Sequence, residues 1–405
     1  LSSKHYNTLV IGGGAAGFFT AINLAQATRG HTIAILERGK EVLQKVRISG
    51  GGRCNVTHAQ FEPRPLSTNY PRGEKELLGP FHSFMTGDTI NWFEQQDVPL
   101  KIEEDGRMFP VSNSSQTIID CFISLAQQHH IDILTSHNVT HIEKKDFWIV
   151  HTKTEEFTCD NLVITAGSSP KVWEIMRQLG HKIIPAVPSL FTFNLVDKNI
   201  TALAGIAIEA TVQIPQLDLE SQGPVLITHW GFSGPAILKM SAWGAIKLHE
   251  SNYKFDVVIN WLNYISKDEC LEMLIEKRKH SKKQISNERL FDLPKRLWKF
   301  LVDQLSVANK NWTDCSNVEL EQLAIRLTSS SYPIDGKSTF KEEFVTAGGV
   351  DLKEINFKNF SSKKQENLYL AGEVLNIDAI TGGFNFQNAW TGGWMIARSI
   401  SINRP

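Results

Sequence analysis

Gly12-Gly13-Gly14-Ala15-Ala16-Gly17 follows the β-branched apolar run Thr8-Leu9-Val10-Ile11 and opens an apolar stretch of helical period from Phe18 to Ala27. Strand, glycine turn and helix in that order are the context in which G-x-G-x-x-G reads as a dinucleotide fingerprint. Gly12 allows the tight turn, Gly14 lets the backbone approach a pyrophosphate, and Gly17 lets helix and strand pack closely. Ala15 and Ala16 then begin a helix whose free N–H groups and positive dipole end suit phosphate. A second strand, Thr32 to Leu36, ends in Glu37, about 20 residues after Gly17, where an acid holds a ribose 2′-OH. A glycine turn between any strand and helix is the plainer account, but it leaves the second strand and its terminal acid unexplained. The stretch predicts a ligand with an ADP moiety.

Around this stretch the chain runs to 405 residues, more than one hydrophobic core accommodates, so two or three domains are expected. Lys plus Arg number 42 and Asp plus Glu 43, and this balance gives no global signal for a nucleic-acid or membrane partner. No apolar run approaches the roughly 20 residues needed to span a bilayer. The first apolar run is the nucleotide strand itself, so a signal peptide is not expected. Five cysteines, Cys54, Cys121, Cys159, Cys270 and Cys315, form no CxxC, which argues against a zinc ribbon or an adjacent redox disulfide. Such a dispersed, odd set fits a reducing cytoplasm.

Lys45 to Thr57 reads KVRISGGGRCNVT, and three glycines in a row predict a loop whose backbone can lie against a flat or phosphorylated ligand. Arg53 is the natural fork for pyrophosphate oxygens, although a flexible surface loop is the alternative. Phe61 to Pro80 reads as irregular, helix returns at Asp88 to Gln96, and Glu103 to Pro110 reads as a surface hairpin. Gln116 to His129 has helical spacing, with Ile119, Phe122, Ile123 and Ala126 on one side. Strands are expected over Ile131 to Ile142, passing through Val139, over Phe147 to His151, and over Leu162 to Thr165, the last turning at Ala166-Gly167. That alternation is what an open, mostly parallel sheet requires.

At about Ser189 the pattern changes to strands: Phe191 to Val196, Ile206 to Ile214, Pro224 to His229 and Tyr253 to Trp261. Three helices follow, two announced by capping boxes at Ser266–Glu269 and Ser316–Glu319 and one by Pro294 as its first residue. Val318, Leu320, Leu323, Ala324 and Leu327 are expected to form the apolar stripe of the third. The basic run Lys277 to His280, with Lys282 and Lys283, reads as a solvated face complementing the helix dipole.

The ending restores the opening. Leu368 to Ala371 is a short strand running into Gly372 and Glu373, then Asp378, then Thr381-Gly382-Gly383-Phe384-Asn385-Phe386-Gln387 and a helix to about Ser401. An acid at a strand tip can hold a polyol hydroxyl, and a helix N-terminus can face an electron-rich ring edge. An ADP end and a polyol-plus-ring end describe FAD.

The motifs IGGGAAG (Ile11 to Gly17), ISGGGRCNVT (Ile48 to Thr57), GRMFPVS (Gly106 to Ser112), THWGFSGPA (Thr228 to Ala236), VTAGGV (Val345 to Val350) and LAGEVLNIDAITGGFNFQNAW (Leu370 to Trp390) span nearly the whole chain. In them the sequence resembles bacterial FAD-dependent oxidoreductases of the aminoacetone oxidase and BaiN/YhiN type. Thr165 to Pro170 departs from that family's usual loop. The resemblance implies an α/β fold: a discontinuous Rossmann-like FAD-binding domain, residues 1–188 and 343–405, and an inserted domain, residues 189–342. The insert would be β-rich over 189–265 and 329–342 and helical over 266–328. It further implies that Gly12, Gly14, Ala15, Ala16 and Gly17 cradle the pyrophosphate, that Glu37 takes the adenosine ribose, and that Arg38 and Val139 flank the adenine end. Lys45 and the run Ser49, Gly51, Gly52, Arg53, Cys54 and Asn55 would line the flavin side. Ala166 and Gly167 would close over the nucleotide. Gly372 and Glu373 would meet the ribityl–pyrophosphate region, Gly383, Phe384, Asn385 and Phe386 the isoalloxazine, and Asp378 would be a further cofactor contact.

The expected activity is hydride transfer between flavin N5 and a small organic substrate held between the FAD domain and the insert. Oxidation of a small amine and NAD(P)H-fed reduction of an unsaturated substrate both remain open, and no second glycine fingerprint for NAD(P)H is visible. A flavin-dependent RNA-modifying enzyme and a flavin-binding sensor are alternatives of other classes; the neutral charge and unpaired cysteines weigh against the first. His229 and Cys54 are the catalytic candidates, each with a plainer account as a packed residue. Trp230 and Trp390 read as core rather than substrate walls. No metal site is expected, the partner is a small molecule rather than nucleic acid or membrane, and the oligomeric state is left open.

Overall fold

The computed structural model describes residues 4–197, 199–338 and 345–402, and divides into two units, residues 1–187 with 345–405 and residues 188–344. The expected 342/343 boundary lies outside the described residues.

Unit 1 is built on a mainly parallel sheet. From one edge its strands run Ile355–Asn356, Ser361–Ser362, Leu368–Leu370, Glu156–Ile164, Lys4–Ile11, Ile33–Leu36 and Asp132–Leu134. The last five pair in parallel, with Leu9 opposite both Ala34 and Leu162. Leu9, Val10, Ile33, Ala34, Ile35 and Leu36 are buried, the continuous apolar reading expected of strands covered on both faces. One cover is formed by helix Ala15–Ala27 packed on helix Phe384–Ile402. A Cβ on Gly393 would stand 3.1 Å from the carbonyl of Ala16, so the second helix comes close to the first only because that position is bare.

Three local expectations are corrected. Phe61 to Pro80 contains two short helices, Pro63–Ser67 and Glu74–Phe81, the first begun by a proline at a position where its missing N–H costs nothing. Ile131 to Ile142 is two strands, Asp132–Leu134 and His141–Lys144, with Val139 in the irregular stretch between them. Gln44–Gly52 begins as a helix and leaves helical geometry at Ser49, Gly50 and Gly51.

In unit 2 six strands close a barrel in the order Thr192–Leu195, Gly231–Ser233, Leu219–Ile227, Ala207–Ile214, Lys254–Asn260 and Ser330–Ser338. Helices Lys267–His280, Lys295–Asp303 and Asn317–Thr328 are carried between its last two strands. Both capping boxes form, at Ser266 and Ser316. Pro294 caps its helix rather than beginning it, and Val318 is 65% exposed, standing in the first turn outside the apolar stripe.

Candidate functional site

Strand Lys4–Ile11 delivers the chain into a turn that only glycine can make. Gly12 has φ of +114°, and a Cβ there would lie 2.5 Å from the Thr165 carbonyl oxygen and 2.8 Å from the Cα of Ala166. A Cβ on Gly17 would strike the Gly12 oxygen at 2.1 Å. Gly14 differs: nothing lies within 4 Å of the place its Cβ would occupy. It caps helix Ala15–Ala27 without a side-chain hydrogen bond, and the first turn holds no acid. The helix thus presents its orphan N–H groups and positive end across an open face, the arrangement that takes a diphosphate.

Glu37 borders this turn. Its Oε2 accepts from Gly13 N at 2.9 Å and its Oε1 from Gly39 N at 2.7 Å, which fixes the carboxylate while leaving lone pairs for hydroxyl donors. His137 N donates to Glu37 O at 2.9 Å and Ser136 N to Gly39 O at 2.8 Å, laying the segment that ends in buried Val139 alongside Glu37 and exposed Arg38.

The C-terminal segment returns to the same place. Ala371 N donates to Ile164 O at 3.1 Å, and a Cβ on Gly372 would be 3.4 Å from that of Ala16. Glu373 pairs with Lys45, and a Cβ on Gly167 would lie 3.8 Å from its Oε2. Lys45, Ala16, Ala166, Gly167, Gly372 and Glu373, drawn from four separate stretches, are therefore neighbours.

In the Ser49–Asn55 run, Cys54 N donates to Ser49 O at 3.0 Å, and Gly51 and Gly52 leave open space where side chains would be. Two residues of the run have protein surroundings that the sequence did not show. Arg53 Nη1 donates to Glu103 Oε1 at 2.6 Å and its guanidinium lies 3.9 Å from the Phe109 ring centroid. Cys54 is fully buried, and burial pushes its thiol up to about 12, away from the thiolate form that a nucleophile needs.

Asn55 Oδ1 accepts from Met108 N at 3.3 Å, and it also walls the second glycine turn. Gly383 has φ of +96°, and a Cβ there would meet Thr57 O at 2.6 Å and Asn55 Oδ1 at 2.8 Å. Buried Gln387 locks this junction, accepting from Thr57 Oγ1 at 2.6 Å and Thr89 Oγ1 at 3.0 Å while donating to Thr391 Oγ1 at 3.1 Å. Asp378 is fully buried and held by both Nε and Nη2 of Arg72, so it braces the loop. Asn385 Oδ1 accepts from Ala379 N at 3.0 Å. Phe386 stacks on core Trp390 at 5.5 Å between centroids, and Phe384 is buried under His58 at 4.5 Å.

His58 and Tyr70 are site neighbours that sequence reasoning missed. His58 Nδ1 is 3.1 Å from Gly382 O, and burial lowers its pKa despite that carbonyl. The Tyr70 hydroxyl donates to Phe384 O at 2.6 Å. Neither stands in a pattern with the glycines it supports, although both lie within the stretch leading away from SGGGRCN.

The other catalytic candidate, His229, belongs to unit 2. His229 is exposed in the turn between strands Leu219–Ile227 and Gly231–Ser233, with no side-chain partner among the described residues. Trp230 O accepts from Leu195 N at 3.0 Å and its indole N–H reaches Thr192 Oγ1 at 3.3 Å, so it fastens the turn to the barrel. Trp390 is core, as expected, and its Nε1 donates to Val56 O at 2.9 Å. No described helix is long and apolar enough to cross a membrane.

Comparison with known proteins places this geometry in context. Residues 6–399 match the family described as "HI0933-like protein Rossmann domain". A "Ribosomal RNA dihydrouridine synthase" of Haemophilus influenzae is 28% identical, covering 98% of this chain and 99% of its own. A "3-dehydro-bile acid delta(4,6)-reductase" of Clostridium scindens is 24% identical, covering 98% and 99%. Among solved structures, a 3-ketosteroid delta1-dehydrogenase from Sterolibacterium denitrificans, 10% identical, covers 99% of this chain and 100% of its own with a TM-score of 0.52.

Proposed function

The chain belongs to the HI0933-like Rossmann family of FAD-dependent oxidoreductases, and from that premise we propose that it hydrogenates a carbon–carbon double bond conjugated to a carbonyl, in the uracil of a ribosomal RNA. The observation that supports this reading is similarity along the whole length of a relative named for dihydrouridine synthesis, through both units. The bile-acid relative's name describes the same kind of bond, an alkene conjugated to a ring ketone. In uracil the hydride would be added to C6, the carbon β to the C4 carbonyl, and a proton to the α carbon, C5.

When bound, FAD supplies hydride exchange at N5. The rest falls to the chain. We assign the diphosphate to the uncapped helix N-terminus at Gly14, with Gly12, Ala15, Ala16 and Gly17 shaping the turn. Glu37 takes the ribose, with Arg38 and Val139 beside the adenine. Lys45 and Glu373, with Ala166, Gly167 and Gly372, hold the ribityl–diphosphate region. Gly51, Gly52 and the Gly383 turn receive the ring against backbone, with Ser49 and Asn55 holding that backbone. The electron source proposed is NAD(P)H.

The overall charge balance first suggested no nucleic-acid partner. Net charge averages over the surface and is silent about local patches, and an RNA substrate needs only such a patch. A ribosomal substrate carries the cytoplasmic location with it.

The test is incubation of the FAD-loaded protein with NADPH and ribosomal RNA from a strain lacking the gene, followed by nucleoside mass spectrometry. Dihydrouridine at a defined position supports the proposal. Unchanged RNA alongside consumption of a steroid enone in a parallel reaction replaces RNA with a small-molecule substrate. A flavin that NADPH does not bleach sinks the reductase reading and returns amines to first place.

A further inference from the structure

Between Lys277 and Lys310 the chain carries 10 Lys or Arg and only 3 Asp or Glu, although the whole protein has 42 and 43. Acidic stretches on either side hide this segregation from the totals. The segment folds back on itself as one lobe of unit 2. Ile285 N donates to Lys310 O at 3.1 Å, Trp312 N to Lys283 O at 3.0 Å, and Trp298 Nε1 to Ile285 O at 2.9 Å. Ile285, Leu297, Trp298, Leu301 and Trp312 fill its interior, which leaves the cations to the outside.

Four of those cations are matched: Lys277 with Glu288, Lys279 with Glu276, Lys299 with Asp303 and Lys310 with Glu319, all within 2.9 Å. The remainder is not. Arg278, Arg289 and Arg296 donate to the backbone carbonyls of Cys315, Leu293 and Ala202, which fixes the guanidinium groups without neutralising them. Lys282 and Lys295 are exposed and have no carboxylate partner among the described residues. Lys283 lies 3.9 Å from a Glu288 that Lys277 already holds.

A helix end complementing its dipole accounts for Lys277 to His280. It does not account for five cations beyond that helix, or for arginines anchored to carbonyls. An anionic membrane would be met by a lobe with apolar side chains to insert, but no large apolar side chain of 277–310 is exposed among the described residues. A polyanion with its charge spread along a backbone matches a lobe of fixed, dispersed cations and needs no apolar anchor.

We infer that the Lys277–Lys310 lobe binds the phosphate backbone of RNA. The choice of RNA over other polyanions rests on the function proposed above; the charge arrangement does not. Binding there is sequence-independent, serving to hold a substrate whose target base is chosen elsewhere.

The experiment is fluorescence anisotropy of labelled ribosomal RNA fragments with the FAD-loaded protein, wild type against the triple variant Lys282→Glu, Lys283→Glu, Lys295→Glu. A second triple variant places Arg at the same positions. The Glu variant is expected to bind about tenfold or more weakly near 0.1 M salt, with a shallower dependence of log K on log salt. The Arg variant should bind as wild type does, and flavin absorbance and NADPH oxidation should be equal in all three. A wild type that does not bind RNA, a Glu variant that binds equally well, or preferential binding to anionic vesicles overturns the inference. Lobe-dependent RNA binding without dihydrouridine formation keeps it and overturns the proposed reaction. Dihydrouridine formation unaffected by the Glu variant does the reverse.

Discussion

Arg72 and Asp378, 306 residues apart in the chain, meet inside unit 1, the guanidinium donating through Nε and Nη2 to one carboxylate oxygen each. The Asp378 side chain is fully buried and Arg72 nearly so. Removing one partner of a buried pair strands the other charge, which costs about 3–5 kcal/mol. Asp378→Ala should therefore lower the unfolding free energy in urea by that amount, through a lower midpoint at unchanged slope, and Asp378→Asn, which keeps an acceptor, by less. An Asp378→Ala protein as stable as wild type would make the pair incidental.

Gly14 and Gly383 predict opposite outcomes. The Cβ of Gly14→Val meets no protein atom and the φ of −97° is ordinary, so the apoprotein should fold with a loss of about 1 kcal/mol at most. Flavin retention should fall sharply, because the side chain takes the diphosphate's approach. Gly383→Ala forces a Cβ against Thr57 O at a positive φ, so stability and flavin retention should fall together. Visible absorbance and thermal melts on the same samples separate the two; equal flavin content in Gly14→Val and wild type would remove the diphosphate from that turn.

His181 has a fully buried side chain, with Nδ1 3.0 Å from Glu354 and Nε2 3.0 Å from Ser362. Burial lowers its pKa, and the Glu354 carboxylate opposes this without overcoming it. The folded state thus favours the neutral ring. Its contribution is fully present above the unfolded value of about 6.5 and is lost as pH falls from there through the lowered folded value. Wild type should lose more Tm between pH 7.5 and 5 than His181→Gln does. Parallel curves would remove His181 as the source.

All five cysteines are free and four are buried, Cys121 being the half-buried exception. A thiol reagent should label about one site in the native protein and five after unfolding. Cys54→Ala should keep its activity. A loss of activity with flavin spectrum and stability unchanged would restore Cys54 as a reacting group.

What could be read from sequence was what is local. Thr8 to Glu37 carries its own strand, turn, helix and acid within one short stretch, and Ser266 and Ser316 cap helices three residues ahead. What escaped depends on residues that no spacing relates. Arg53 looked like a phosphate fork because Glu103 and Phe109, which occupy it, arrive on a separate hairpin. The bracing of Asp378 was hidden because Arg72 lies 306 residues away. The barrel of unit 2 closes through pairs such as Phe193 with Lys337, and alternation identifies strands without saying which ones join. Val318 was misplaced because an apolar residue in a helix's first turn fits a period it does not have to serve.

The junction of Thr57 with Gln387, 330 residues apart, sets a timetable for the growing chain. During synthesis the first half of unit 1 leaves the ribosome without strand Leu368–Leu370 or helix Phe384–Ile402, and the barrel emerges next. The barrel strands lie close together in sequence, so the barrel is able to fold while the sheet beside Glu156–Ile164 still has an unpaired edge. Cofactor capture is thereby deferred until helix Phe384–Ile402 has emerged, and no shorter chain can become coloured. A ribosome that stalls between the barrel and strand Leu368–Leu370 releases a product with a finished barrel and an exposed sheet edge, a natural substrate for quality control rather than a partly active enzyme.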